Sequence, residues 1–404
     1  MAVVQFFFAH CDVDDDEIDG TFLTDGKYLD LSLPGRMIII NKNEGKAGYY
    51  CEIHGLRCIA KPGRSPIIQE QFNVETLKWS GVQDPVTRAN ASSLRFEKVF
   101  VKDSVLAKFE KRPDLFTVYP ESGGVSFGGQ WTVGHSHRVG RDYIAVELKK
   151  LYEGNLDHVI IHWHRFAVNP PDINDPAIRQ LSNVAKRSKR IAEALIELGR
   201  NLTELWTLSS GHTIQPVELT GYDERNLRYH GFWENSYLFD IARHIPWDMG
   251  EDAFFQRCIS LEVAIIEGLK EGNLRKLLHQ LGVPRESIKE LRSLKLFYAI
   301  VVYSQIAINA GLDLIDETEE VNDRRKEIQP DLNRSPFINT PLKPLFRLHD
   351  FRINAAHRGD TVQKLLEEHQ IDRASLRAGW GYLLDKFYDD LGEALVSCQA
   401  NIVG

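Results

Sequence analysis

Residues 345–360 read LFRLHDFRINAAHRGD, and their spacing decides how the second half of the chain is expected to fold. Leu345, Leu348, Arg352, Ala355 and Ala356 fall at i, i+3, i+7, i+10 and i+11, the period of one helix face, so the pattern predicts a helix with Arg352 inside its apolar stripe. A guanidinium keeps its charge at any ordinary pH and is seldom buried alone. Arg352 is therefore expected to meet a carboxylate, a subunit interface or a phosphate. His357 is expected at the helix end with Gly359 as C-cap, which sets the imidazole at the rim of whatever cleft the arginine faces.

Helical periodicity extends on both sides of this stretch. Phe254, Cys258, Leu261 and Ile265 form one stripe; Leu294, Phe297 and Val301 a second; and Leu376, Trp380, Leu383, Phe387, Leu391 and Leu395 a last. Pro284 breaks the first two, and the acidic, proline-containing segment 311–340 reads as an exposed connector. Long stripes with modest connectors predict a helical bundle over 251–404.

The first 168 residues carry a different pattern. VVQFFFAH, GKYLDLSL, RMIII, GYYCEIHG, LRFEKVFV, LFTVYP, YIAVELKKLY and HVIIHWHRFAV are β-branched or aromatic runs separated by Gly, Pro and Asp. They predict a β-rich domain, a sandwich or partly closed barrel. Between them, 169–250 reads as a linking helix that starts at Asp175-Pro176 and carries Ile191, Leu195, Leu198, Leu202 and Leu205. An irregular connector with a short helix near Tyr237 to His244 follows. The expected class is thus α+β and multidomain: 1–168 β-rich, 169–250 linker, 251–404 all-α.

Composition narrows the function classes. With 404 residues and 43% hydrophobic content the chain can bury a sizeable core. A net charge of −8 argues against a general nucleic-acid coat, which needs many Lys and Arg on phosphates, but leaves room for a local basic cleft. No apolar run is long enough for a membrane span and the start MAVVQFFFAHCDVDDDE lacks a basic leader, so a cytoplasmic protein is expected, with the sequons at Asn90 and Asn201 unglycosylated. Five cysteines at irregular spacing fit free thiols in a reducing compartment.

The segment Arg352-Ile353-Asn354-Ala355-Ala356-His357 resembles the R-x4-6-H motif of HEPN domains (higher eukaryotes and prokaryotes nucleotide-binding), and the surrounding helices over roughly 250–400 fit their order. The family commonly has Asn, Asp or His directly after the arginine; here Ile353 stands there and Asn354 one place later. The resemblance implies a four- or five-helix bundle that dimerises and a metal-independent endoribonuclease without a cofactor, with Arg352, His357 and Asn354 as its site residues. The β-rich start, with Ile53-His54-Gly55, resembles the N-terminal domains of Apea-like HEPN proteins, which implies a sensor for a ligand or protein trigger and a role in prokaryotic antiphage defence or a toxin system.

Arg225-Asn226-Leu227-Arg228-Tyr229-His230 also satisfies R-x4-H and even supplies the polar neighbour, but Gly221 to Glu234 shows no apolar stripe that would aim an arginine into a bundle. A metal reading stands beside these. His135 with His137, and His162 with His164, would each share a strand face, while Cys51, His54 and Cys58 and the acidic stretch Asp12–Asp19 offer further donors at poorer spacing. Charge runs are more often solvated, and the favoured expectation has no metal. A non-catalytic alternative remains open: a HEPN-like dimerisation or nucleotide-binding regulatory module in which Arg352 is a structural ion pair and His357 faces the helix dipole.

Overall fold

The computed structural model describes residues 2–3, 6–9, 13–14, 35–43, 46–53, 56–57, 73–94, 96–172, 174–179, 181–309, 340–356 and 360–403, with backbone alone up to residue 57. The chain divides into two compact units, Met1–Asn73 and Val74–Gly404.

The first unit contains the strands β1 (Ala2–Val3), β2 (Phe6–Ala9), β3 (Val13–Asp14), β4 (Gly35–Asn43), β5 (Lys46–Ile53) and β6 (Leu56–Arg57). β4 and β5 form an antiparallel hairpin from Gly35↔Ile53 to Asn43↔Lys46, with a register shift between Ile39 and Asn41. β2 and β3 also pair antiparallel with β5, and β1 pairs with β6. The strand expected at 26–33, most of the acidic stretch, His54, Cys58 and the connector 311–339 lie outside the described residues.

The second unit is mixed α and β with a helical C-terminal region and two apolar cores. The first core fills 74–168. There a four-stranded antiparallel sheet runs in the order β11 (Ser136–Val139), β12 (Tyr143–Glu147), β7 (Lys98–Lys102), β13 (Ala167–Val168). A three-stranded one runs β10 (Trp131–Val133), β9 (Gly124–Phe127), β8 (Phe116–Tyr119). Alternation along β7 and β12 sends Val99, Val101, Ile144 and Val146 inward, against Leu148 and Leu151 and against Val159, Ile160 and Trp163. The helices here are α1 (Ala107–Glu110), α2 (Leu148–Tyr152) and α3 (Asp157–His164).

Two runs expected as strands are therefore helical in part: YIAVELKKLY turns into α2 after Glu147, and HVIIHWHRFAV is α3 before the two-residue β13. A short apolar run that is buried all round carries no periodicity to separate the two states.

The second core begins at Val184 and is helical. α4 (Pro176–Arg179) is one short turn, and the expected linking helix restarts as α5 (Val184–Ser210), where the Asn183 side chain accepts from the Lys186 amide and Gly211 closes the end at φ +69°. The stretch expected as an irregular connector contains α6 (Val217–Thr220), α7 (Glu224–His230) and α8 (Ser236–Ile241). Then come α9 (Glu251–Ile265), α10 (Glu271–Gln280), α11 (Arg285–Ile288), α12 (Ser293–Asn309), α13 (Lys343–Ile353), α14 (Asp360–Glu368) and α15 (Gly381–Val403). α15 packs along α5 and also touches α9, α12 and α13, so the predicted stripes share one core.

The expected boundary at 168 lies between these two cores, whereas the compact units part at Asn73 and Val74. Buried ions link the cores. Arg141, at the β11–β12 turn, pairs with Asp385 and Asp389 of α15, and Arg187 of α5 reaches Asp385 at 2.5 Å. Arg138 of β11 and His244 share Asp103 at 3.2 and 3.0 Å. Among the described residues no helix is long and apolar enough to cross a membrane.

Candidate functional site

α13 starts with Pro344 in its first turn and buries Leu345, Phe346, Leu348 and Phe351. Phe351, not Arg352, takes the inward direction at the helix end, stacked against the buried His369 and edge-on to Phe254. The arginine consequently turns onto the flank with 42% of its side chain exposed. This corrects the expected placement inside the stripe: one residue is about 100° of rotation on a helix, enough to move a side chain from core to rim. The regular helix also stops at Ile353 and tightens into a 3-10 turn over Asn354–Ala356, so the continuous helix expected to reach His357 is absent. His357 and Gly359 lie outside the described residues.

The carboxylate that Arg352 was expected to meet is Glu262 of α9, only 3% exposed. Its Oε1 lies 2.8 Å from His349 Nδ1, and its Oε2 lies 2.9 Å from Arg352 Nε. The second contact lacks hydrogen-bond alignment, so Coulomb attraction holds that pair. Arg352 Nη2 donates to Glu267 at 3.4 Å, a longer contact to a carboxylate that is half exposed. One buried acid thus fixes two basic side chains three residues apart on one flank of α13. Arg347, with Asp390 at 3.1 Å, anchors the same helix to α15.

Asn354 is spent locally: it is the C-cap residue, and its Nδ2 donates to the Asp350 carbonyl at 2.8 Å. It fixes the turn. His349 and Glu262 escaped the sequence reading, although both left a trace. His349 precedes Arg352 by three, and Glu262 stands at a stripe position beside Cys258, Leu261 and Ile265, where an apolar residue belongs.

The rival pair sits on α7, a helix of seven residues that was not expected there. Arg225 and His230 are both exposed, and Leu227 alone in that helix is buried. His230 and Asn226 line a pocket of about 590 Å³ with Tyr222, Asp223 and Glu234; Arg225 is not among its walls. The two motif residues are not brought to one concavity.

The histidine pairs do not share faces as expected. His162 and His164 stand on a helix, where i and i+2 diverge by about 200°. Their Nε2 atoms meet the Val105 and Lys78 carbonyls at 3.0 and 2.8 Å. His135 has φ +53° and lies 3.8 Å from Glu147, while His137 is exposed on β11. Among the described residues no three His, Cys, Asp or Glu side chains converge as metal ligands. Comparison with known proteins finds no match to a protein-family model, to a curated protein or to a solved structure.

Proposed function

We propose that the chain is a metal-independent endoribonuclease of HEPN type, working from the flank of α13. The observation that supports this most directly is an exposed Arg352 whose guanidinium is oriented by a buried carboxylate, since a catalytic cation must be both accessible and held in place. Glu262 holds Nε, and a phosphate displaces the solvated Glu267 from Nη2. The RNA 2′-hydroxyl then attacks the adjacent phosphorus, His357 moves the proton to or from the reacting oxygens, and Arg352 stabilises the charge on the phosphoryl oxygens. One such pair cannot readily serve as acid, base and charge clamp together, so two copies meet across a homodimer. A cytoplasmic role in antiphage defence or a toxin system follows from the resemblance.

The test is cleavage of RNA by purified protein in EDTA. The expected products carry 2′,3′-cyclic phosphate and 5′-hydroxyl ends, and DNA of the same sequence stays intact. Activity lost with chelator and restored by zinc or magnesium counts against the reading. A second reading, a non-catalytic dimerisation or nucleotide-binding module, is favoured by the two carboxylates that already neutralise Arg352. An intact RNA alongside a stable dimer would select it.

A further inference from the structure

In a chain of net charge −8, the stretch from Lys270 to Lys295 is basic: seven Lys or Arg against three Glu, a net of +4. The fold gathers this charge into a concavity. α10 and α11 enclose a pocket of about 500 Å³ walled by Arg275, Lys276, His279, Arg285, Glu286 and Lys289. Arg275 is committed to structure, its Nη2 donating to Glu271 and to the Leu291 carbonyl, both at 2.8 Å, which ties α10 to the segment after α11. Lys276, His279, Arg285 and Lys289 are exposed, and among the described residues none of their side chains has an ion-pair or hydrogen-bond partner. A pocket lined by four Lys or Arg side chains, three of them uncommitted, with an imidazole and a single carboxylate, attracts polyanions. Its walls offer no large apolar side chain, the kind of anchor on which protein partners concentrate their binding energy.

We infer that this pocket grips the phosphate backbone of a nucleic-acid strand, with Lys276, Arg285 and Lys289 as the phosphate contacts. That the strand is RNA rests on the ribonuclease reading; the phosphate chemistry does not. A grip outside the α13 flank gives the site a second hold on its substrate, and contacts to phosphate set the register of a strand without reading its sequence.

Fluorescence anisotropy of the full chain with a short fluorescein-labelled 2′-O-methyl RNA in EDTA tests this, because the blocked 2′-oxygen prevents cleavage. The Lys276→Ala/Lys289→Ala double variant is expected to weaken binding about tenfold or more. It should also reduce the slope of log affinity against log salt by about 1.4, about 0.7 for each single-strand phosphate that a lysine no longer neutralises. Lys276→Arg/Lys289→Arg should retain binding, and a DNA strand of the same sequence should respond in parallel. The inference is overturned if the wild type does not bind the oligonucleotide, or if the alanine variant binds it with the same affinity and salt slope. It is also overturned if the variant loses a poly-glutamate peptide but keeps the RNA, which would assign the pocket to an acidic protein segment. Cleavage of ordinary RNA by the wild type is scored separately: binding that depends on the pocket without any cleavage sinks the nuclease reading alone.

Discussion

His349 Nδ1 lies 2.8 Å from Oε1 of Glu262, a carboxylate that is almost wholly buried between α9 and α13. A buried carboxylate is costly unless its oxygens are engaged, and here one oxygen holds an imidazole and the other faces a guanidinium. A carboxylate oxygen accepts, so in this contact Nδ1 of His349 carries the hydrogen and donates inward.

Glu262→Gln keeps the shape and removes the charge. It is expected to lower stability by about 1–3 kcal/mol, the range for leaving a buried polar group poorly satisfied. RNA cleavage should fall more than the fold does, since Arg352 loses its orienting partner. Urea melts beside single-turnover cleavage separate the two effects. Glu267→Gln, which releases only the exposed end of the guanidinium, should lower KM by about two- to fivefold, the size of a surface ion pair.

The helical half was legible because its stripes are long: α5, α9, α12 and α15 each repeat apolar residues over several turns. α3 was not, because Val159, Ile160, Ile161 and Trp163 are all buried and mimic a strand interior. The motif arginine was legible as a residue needing a carboxylate, but its facing differs from the expected one by a single position, since Phe351 and Arg352 compete for the same turn. The partner was out of reach for a different reason. Glu262 is 87 residues from His349, and no local period encodes a contact across α9 and α13.

Asp385 is the hub where the two cores of the second unit meet, pairing with Arg141 and with Arg187, whose side chain is 5% exposed. Asp385→Ala leaves Arg187 charged and buried without its strongest partner, so a loss of about 3–5 kcal/mol is expected. Asp389→Ala removes a more exposed carboxylate and should cost about 1 kcal/mol or less. Denaturant melts of the two variants check the ratio; equal effects would mean that Asp385 is not the hub.

Asp142 gives a pH signature. Burial pushes its carboxyl up to about 6, and the nearby Asp103 and Asp385 add to the rise while Lys102 and Arg141 oppose it. An ordinary aspartate titrates at 3.8, so between that value and about 6 the folded chain holds a proton that the unfolded chain has released. Stability from this group therefore falls as pH rises through that window, and the penalty persists in full above it. Asp142→Asn is expected to be more stable than wild type by about 1 kcal/mol at neutral pH, after allowance for partial exposure, with the gap closing toward pH 4. Melting temperatures across the pH series check the sign.

The ribonuclease reading stands or falls on Arg352 and His357. Arg352→Ala removes the positive charge that a metal would otherwise supply, and His357→Ala removes a proton carrier worth about 10²–10⁴-fold in rate. Each should reduce cleavage by at least that order. Arg352→Ala is expected to keep the fold but to lower stability by about 1–3 kcal/mol, because it leaves Oε2 of the buried Glu262 without a charge partner while Oε1 retains His349. Arg352→Lys should not rescue, as a point charge cannot keep Nε on Glu262 and present Nη2 to a phosphate at once. Arg225→Ala and His230→Ala lie on the surface of a seven-residue helix and should cut RNA at the wild-type rate. His349→Ala then decides which imidazole works beside the arginine. If it abolishes cleavage while His357→Ala does not, the proton carrier is the histidine that Glu262 holds, and the R-x4-H spacing marks the helix without naming its base.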